Sequence, residues 1–359
     1  MSDWLVGGAH SQRSIREEKT YDELRTRRIV RVFVLLGVLL VGLVIASLCI
    51  GSVRIPLEKV VSILMGEQGG DSSYQVIWNI RLPRLAAAGL LGAALALSGL
   101  LLQTLFGNPI AGPYILGISS GAKLAVAFVM VVLLNETQAM SSWMSMLAAF
   151  VGSIGTICCV LFAARSVRSV STLVIFGVMV GYVCSAATDV LVTFASDASV
   201  VSLRNWSQGS FSGINAGQVG VIAAVVLLAS VGVFALSKPL GAYQLGERYA
   251  VSMGVDVRRF RMMVIALASL LAACATAFAG PISFVGVAVP HVVRRILGTS
   301  KPLFVIPATF LGGAVACLAC DLVARSLFAP VEMSVSTVTA LFGAPVVIWV
   351  LLRRRGQVS

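Results

Sequence analysis

Residues 81–122, RLPRLAAAGLLGAALALSGLLLQTLFGNPIAGPYILGISSGA, decide the architecture. The stretch opens on Arg81 and Arg84 and then holds no charged side chain until Lys123. A helix rises 1.5 Å per residue, so about 20 such residues cross the roughly 30 Å of a bilayer's hydrocarbon. The same pattern fills the rest of the 359-residue chain, which is 58% hydrophobic and only 12% charged, with mean hydropathy +0.96. A soluble domain carries about 45–50% apolar and 25% charged residues, so a soluble enzyme is excluded, as is a disordered chain.

Ten stretches are nearly free of charge, at about 32–50, 85–106, 114–134, 141–162, 171–194, 216–236, 262–279, 281–293, 303–322 and 335–352. They predict an all-α polytopic membrane protein of about ten transmembrane helices, the eighth so short that it reads as a broken or tilted helix. Residues 1–30 form a polar tail, 31–355 the membrane domain and 356–359 a short end. The tail is too long and mixed for a signal-peptide n-region, so the first apolar block reads as a retained span.

Net charge is +12, and where the basic residues fall explains it. With the N-terminus inside, twenty of the 27 Lys and Arg lie in cytoplasmic segments and six in outer ones, which places both termini in the cytoplasm. The excess is then a topology signal, and nucleic acid is not an expected partner. Ala111-Gly112-Pro113 after the second span and Ala279-Gly280-Pro281 after the seventh would face opposite sides, the mark of an inverted repeat.

The chain carries no phosphate-binding loop, HExxH or GxSxG, so any ATP energy must come from a partner. Its two histidines are too few for ordinary haem ligation, and no metal site is expected. The seven cysteines all lie in apolar blocks. Cys317 and Cys320 read as packing residues rather than a zinc or redox pair.

Charges inside spans are functional candidates. Lys123 and Asp189 either pair, or Lys123 lines a path for anionic cargo, or it snorkels or is buried at a subunit contact. Asp321 and Arg325, one turn apart, form a local ion pair or leave Arg325 free for an acidic partner. Between the sixth and seventh spans, about 243–255 predicts a short amphipathic helix with Leu245, Tyr249 and Met253 on one side. It is either a solvated loop helix or a docking element.

These residues resemble the FecCD-type permeases, the membrane subunits of ABC importers for ferric siderophores, haem and cobalamin. Residues 81–122 are similar to that family's RxPR, GAxLAxSG and NPLAxPxLLGxSSGA series, 245–255 to LGEExAxxLGV, and 280–298 to GPIxFVGLxVPHxxRxLxG. Residues 321–325 and 335–354 resemble its closing patterns. Gly112, Lys123, Ser334 and Ser336 depart from the family's usual residues. The resemblance implies a transport subunit and not an enzyme, binding no cofactor itself, with ATP and Mg held by a partner. It implies a second permease subunit (homodimer or heterodimer), two cytosolic ABC ATPases, an extracytoplasmic binding protein and a bacterial cytoplasmic membrane location. Leu245, Gly246, Glu247, Tyr249, Ala250, Met253 and Gly254 would couple to the ATPase. Arg81, Arg84 and Arg325 would dock the binding protein, or for the first two anchor the second span at the interface. Ser119, Ser120, Gly121, Lys123, Asp189, Trp206, Gly209 and Ser210 would line the path or its gate, while His291 and Arg294 would hold the coupling region. The expected cargo is a ferric siderophore, with haem or cobalamin as alternatives. An ion-coupled secondary transporter would need membrane acids, of which Asp189 is the one clear candidate.

Overall fold

The computed structural model describes residues 3–51, 53–66, 72–133, 140–167, 169–329 and 331–355, and these are all-helical, with no strand among them. The long elements are α1 (Asp3–Cys49), α4 (Leu82–Phe106), α6 (Ser142–Ser166), α7 (Val170–Thr193), α9 (Ala216–Ala235), α12 (Val257–Ala279), α14 (Pro302–Ser326) and α15 (Val335–Arg355). Shorter helices are α2 (Leu57–Leu64), α3 (Ser72–Gln75), α5 (Ile118–Phe128), α8 (Asp197–Ser207), α10 (Ser237–Gln244), α11 (Glu247–Ser252) and α13 (Val285–Leu297). π-helical turns at Val76–Arg81 and Val129–Leu133 lead into α4 and extend α5.

Among the described residues seven helices are long and apolar enough to cross a bilayer, and α5 with its π turn, α13 and α15 complete the ten expected segments. The third segment, expected from 114, becomes helical only at Ile118 because Gly117 takes a left-handed φ of 77°; its expected end, residue 134, lies outside the described residues, as does the tail 356–359. The eighth is indeed short: α13 has 13 residues, roughly 20 Å of helix. It is launched by Phe284 in a left-handed conformation, φ 64°, costing on the order of 1 kcal/mol.

Helix α4 lies at the centre, with 78% of its apolar window buried against 17% for α7 and 22% for α1, which face outward. In lipid, helices gain nothing from hiding apolar surface, so close backbone packing and interhelical hydrogen bonds hold them. The closest approach is at Gly99, where an added Cβ would fall 1.7 Å from the Gly286 carbonyl oxygen of α13. Beside it, the Ser98 hydroxyl donates to Ala268 O of α12 at 2.7 Å, and Gln103 Nε2 to Val287 O at 3.0 Å. The two Gly-Pro junctions also meet: Ile282 N donates to the Tyr114 hydroxyl at 3.1 Å, and Gly286 lies under Pro113. Cys317 packs on α4 at Gly92.

Gly99→Ala should destabilise the protein by at least about 2 kcal/mol, because backbone cannot move aside as a side chain can. Gly155→Ala, with nothing within 4 Å, should be neutral. Thermal unfolding of both variants in detergent checks the contrast.

Candidate functional site

One group of candidate residues gathers where α1, α4 and α14 end together. The last carbonyls of α1 have no partner within their own helix, and in a low dielectric they need donors. Arginine supplies them: Arg325 Nη2 donates to Ser47 O at 2.8 Å and Arg81 Nη1 to Leu48 O, while Arg81 Nη2 donates to Val53 O in the loop that follows. Asp321, 2% exposed, sits between the remaining guanidinium groups, 2.9 Å from Arg84 Nη2 and 3.6 Å from Arg325 Nε. Arg84 Nη1 then reaches both oxygens of Glu332 at 3.0 Å. Glu332 is the open edge of the cluster, its side chain 44% exposed.

These are the three arginines expected to dock a binding protein. Arg81, Arg84 and Arg325 are 5–7% exposed and spent on acceptors of their own chain. The local Asp321–Arg325 pair exists, but Arg84 makes the shorter contact. Glu332 escaped the sequence reading because it lies in a loop beyond the apolar block; the α1 carbonyls carry no side-chain signal at all.

The second group is the loop between α9 and α12. The single helix expected over 243–255 is two: α10 ends at Gln244, Gly246 turns the chain with φ 120°, and α11 follows until Gly254 at φ 81°. Ala250 is fully buried beneath α11, while Leu245, Tyr249 and Met253 are 69%, 45% and 63% exposed. Three exposed apolar side chains, Tyr249 on this short helix and Leu245 and Met253 flanking it, leave a surface for a partner. Glu247 lies 3.5 Å from Arg261 of α12. The Tyr243 ring packs on Phe260 at 5.1 Å, and its hydroxyl donates to Leu105 O at 3.5 Å, tying the loop to the end of α4. Burial pushes the Tyr243 phenol up, and Glu247 adds to this while Arg261 opposes it. At the end of α13, Arg294 donates to Gln103 Oε1 and Thr104 Oγ1 of α4, at 3.3 and 3.4 Å. His291 borders a crevice with Pro109 and Val347.

The third group lies on α5, α7 and the loop after α8. Ser119 and Ser120 are half-buried on the first turn of α5, Ser120 within 3.5 Å of the Ser185 hydroxyl, and Gly121 is pressed against Thr156 and Gly152 of α6. Lys123 is half-buried, Asp189 exposed on α7, and no ion pair joins them, which corrects the pairing considered from sequence. Trp206 and Ser210 line a small polar cavity of about 190 Å³ with Asn205 and Gln218. Gly209 is wedged against Pro281, and Ser210 N donates to Ala279 O at 2.8 Å. Ser336, one of the family departures, donates to Pro281 O at 2.5 Å. The supposed gate loop is thus bonded to the α12–α13 break and the start of α15.

A bundle of membrane helices with a short exposed helix slung between two of them defines a polytopic membrane protein that offers a partner a surface. Residues 39–353 match the FecCD transport family. The chain is 34% identical to the hemin transport system permease protein HmuU of Yersinia pestis over 90% of its own length and 97% of the relative's. It is 36% identical to the vitamin B12 import system permease protein BtuC of Klebsiella pneumoniae, over 94% and 98%. A solved metal-chelate type ABC transporter in an inward-facing conformation superposes with TM-score 0.78 at 31% identity, covering 90% of this chain and 98% of that one. PsaBC of Streptococcus pneumoniae, at 15% identity and TM-score 0.52, shares the fold. The chain belongs to the FecCD transport family and is a permease subunit of the ABC-importer kind.

Asp321→Asn should cost about 3 kcal/mol, since it leaves Arg84 and Arg325 buried without their shared carboxylate. Glu332→Gln, at the exposed edge, should cost less than about 1 kcal/mol. Unfolding midpoints of the two variants report the difference.

Proposed function

We propose that this chain is the membrane subunit of an ATP-driven importer that carries a haem-type metal chelate across the bacterial cytoplasmic membrane by alternating access. End-to-end similarity to the hemin and B12 permeases supports a metal macrocycle over the ferric siderophore expected from sequence. The observation that favours haem over cobalamin is Lys123, a half-buried cation on the Ser120–Ser185 face of the spans. Haem presents two carboxylates to such a group, and an uncompensated charge at that depth is costly unless it serves a path or cargo. The ion-coupled alternative has little to stand on, since Asp189 is the one acid on this face.

Both termini lie in the cytoplasm in this reading, as the basic excess implies. Helix α11 enters a groove of a cytosolic ATPase through Tyr249 and Met253, with Glu247 held by Arg261. ATP binding in the two ATPases draws the α11 helices together, and the Tyr243 contacts carry the movement to α4 and α12. A second permease meets α7, whose exposed Ser185 and Asp189 do not suit lipid, and the cargo passes between the two subunits. Trp206, Gly209 and Ser210 gate this path. The extracytoplasmic binding protein docks over the arginine cluster by exchange, its own carboxylate displacing the half-exposed Glu332 from Arg84. The cluster's three arginines against two acids leave one positive charge to favour that exchange.

Reconstitution in proteoliposomes with the cognate ATPase and binding protein should give ATP-dependent haem uptake, slowed by Lys123→Ala; uptake of cobalamin instead would overturn the cargo. Met253→Glu or Glu247→Arg should lower transport per ATP hydrolysed by about tenfold at unchanged ATPase expression and assembly. Coupled transport at the normal ratio in both variants would remove α11 from this role. Glu332→Gln should tighten binding-protein docking, while Arg84→Glu weakens it; docking that ignores both would refute the exchange.

A further inference from the structure

The lipid-facing side of α1 stops before the helix does. Val34, Val38, Val41 and Ile45 recur at helical spacing along one side of it and are all exposed. The next position in that series is Leu48, and it is 5% exposed. It lies under a cluster formed with Ile55, with Val60 and Ile63 of α2, and with Ile77 of the π turn before α4. Val44 of α1 and Leu85 of α4 pack on the same cluster. Val44 is five residues before the end of α1, about 7–8 Å down the helix. Helix α2 is therefore folded back on the side of α1 that faces lipid, level with its last turns rather than above them.

The surface of α2 divides into three. At about 100° per residue, Val60 and Ile63 point into the cluster, Lys59 and Ser62 with Glu58 occupy a second sector, and Leu57, Val61 and Leu64 a third, the three roughly 120° apart. Leu57, Val61 and Leu64 are 51%, 41% and 43% exposed, and Met65 continues them past the end of the helix. A surface helix in water has two faces, one apolar and buried, one polar and wet. A second apolar sector, turned from both the core and the polar edge, calls for an apolar medium beside it, with the polar sector at the headgroups. The other neighbours fit this sector less well. A second permease meets α7 in the reading above, and α7 packs on α5 and α6, whereas α2 rests on α1, which packs on α13 and α14. A binding protein arrives from water and meets the polar sector first.

We propose that α2 is an interfacial anchor, its Leu57, Val61 and Leu64 sector inserted among phospholipid acyl chains just below the headgroups. The anchor sets a level for what is attached to it. Arg81 donates to Leu48 O, beneath α2, and to Val53 O, in the segment that leads into it, so the arginine cluster is tied to the depth at which α2 lies. The leaflet is the outer one on the inside placement of the termini proposed above, and the insertion itself does not depend on that placement.

The test reconstitutes the full-length protein with its cognate ATPase in vesicles of phosphatidylethanolamine and phosphatidylglycerol, with the photoreactive residue p-benzoylphenylalanine replacing Leu57, Val61, Lys59 or Ser62 in turn. Irradiation should attach a phospholipid from positions 57 and 61, read as a mass increase of the intact chain, and about fivefold less from 59 and 62. Adding the binding protein should leave the lipid adducts unchanged. The replacement keeps positions 57 and 61 apolar and exposed, so folding is retained in this arm. In a second arm, Leu57→Asp with Val61→Asp should lower the unfolding midpoint in the same vesicles, and Ser62→Asp should not. Equal lipid adducts from all four positions, none from 57 and 61, a crosslink from either to a second copy of the chain or to the binding protein, or an unchanged midpoint in the double variant would each overturn the proposal.

Discussion

The contact on which the structure depends is the one between α4 and the helices that enclose it, closest where Gly99 meets the backbone at Gly286. A bilayer offers no reward for burying Leu against Leu, so cohesion has to come from distance: backbones brought near enough for dispersion and for hydrogen bonds such as Ser98 to Ala268. That requirement accounts for the Ala- and Gly-rich composition of α4 and for the meeting of the two Gly-Pro junctions at Tyr114 and Ile282. It also explains why the polar chemistry lies elsewhere. A centre packed this tightly has no room for a cargo, and the charged and serine-bearing residues are on α5 and α7, where the bundle is open.

The spans were legible in the sequence because a crossing requires about 20 residues without charge, and few other constraints write so plain a pattern. Their local geometry was less so. The late start of α5 depends on the handedness of Gly117, the division of the 243–255 segment on that of Gly246, and neither backbone angle is encoded by hydropathy. Arg81, Arg84 and Arg325 stood out at once as charges at span ends. Their fate did not, since two of their acceptors are main-chain oxygens of α1, a third is the Val53 carbonyl just beyond it and another is Glu332, far along the chain. Lys123 and Asp189 were flagged by cost alone, and cost says that a charge has a reason without saying which neighbour supplies it.

The arrangement separates three demands. The centre holds shape, the arginine cluster fastens helix ends, and the α10–α11 segment offers apolar side chains to the outside while Tyr243 and Glu247 anchor it within. An importer subunit that borrows energy from one partner and cargo from another needs this division, because each partner must grip a feature firmly joined to the same core.

Helix α1 carries a consequence for biosynthesis. Its middle is fastened by Arg25 to Thr299 and Arg28 to Ile296, its far end by Arg81 to Leu48 and Arg325 to Ser47. All but the Arg81 bond join the first helix to chain made about 270 residues later, tens of seconds after it at ordinary rates of synthesis. The first helix to enter the membrane is therefore tethered early only at Leu48, and its middle is among the last parts to be locked. Truncated nascent chains that stop short of α14 should hold α1 at its Leu48 end yet leave the rest of it free to tilt about that tether.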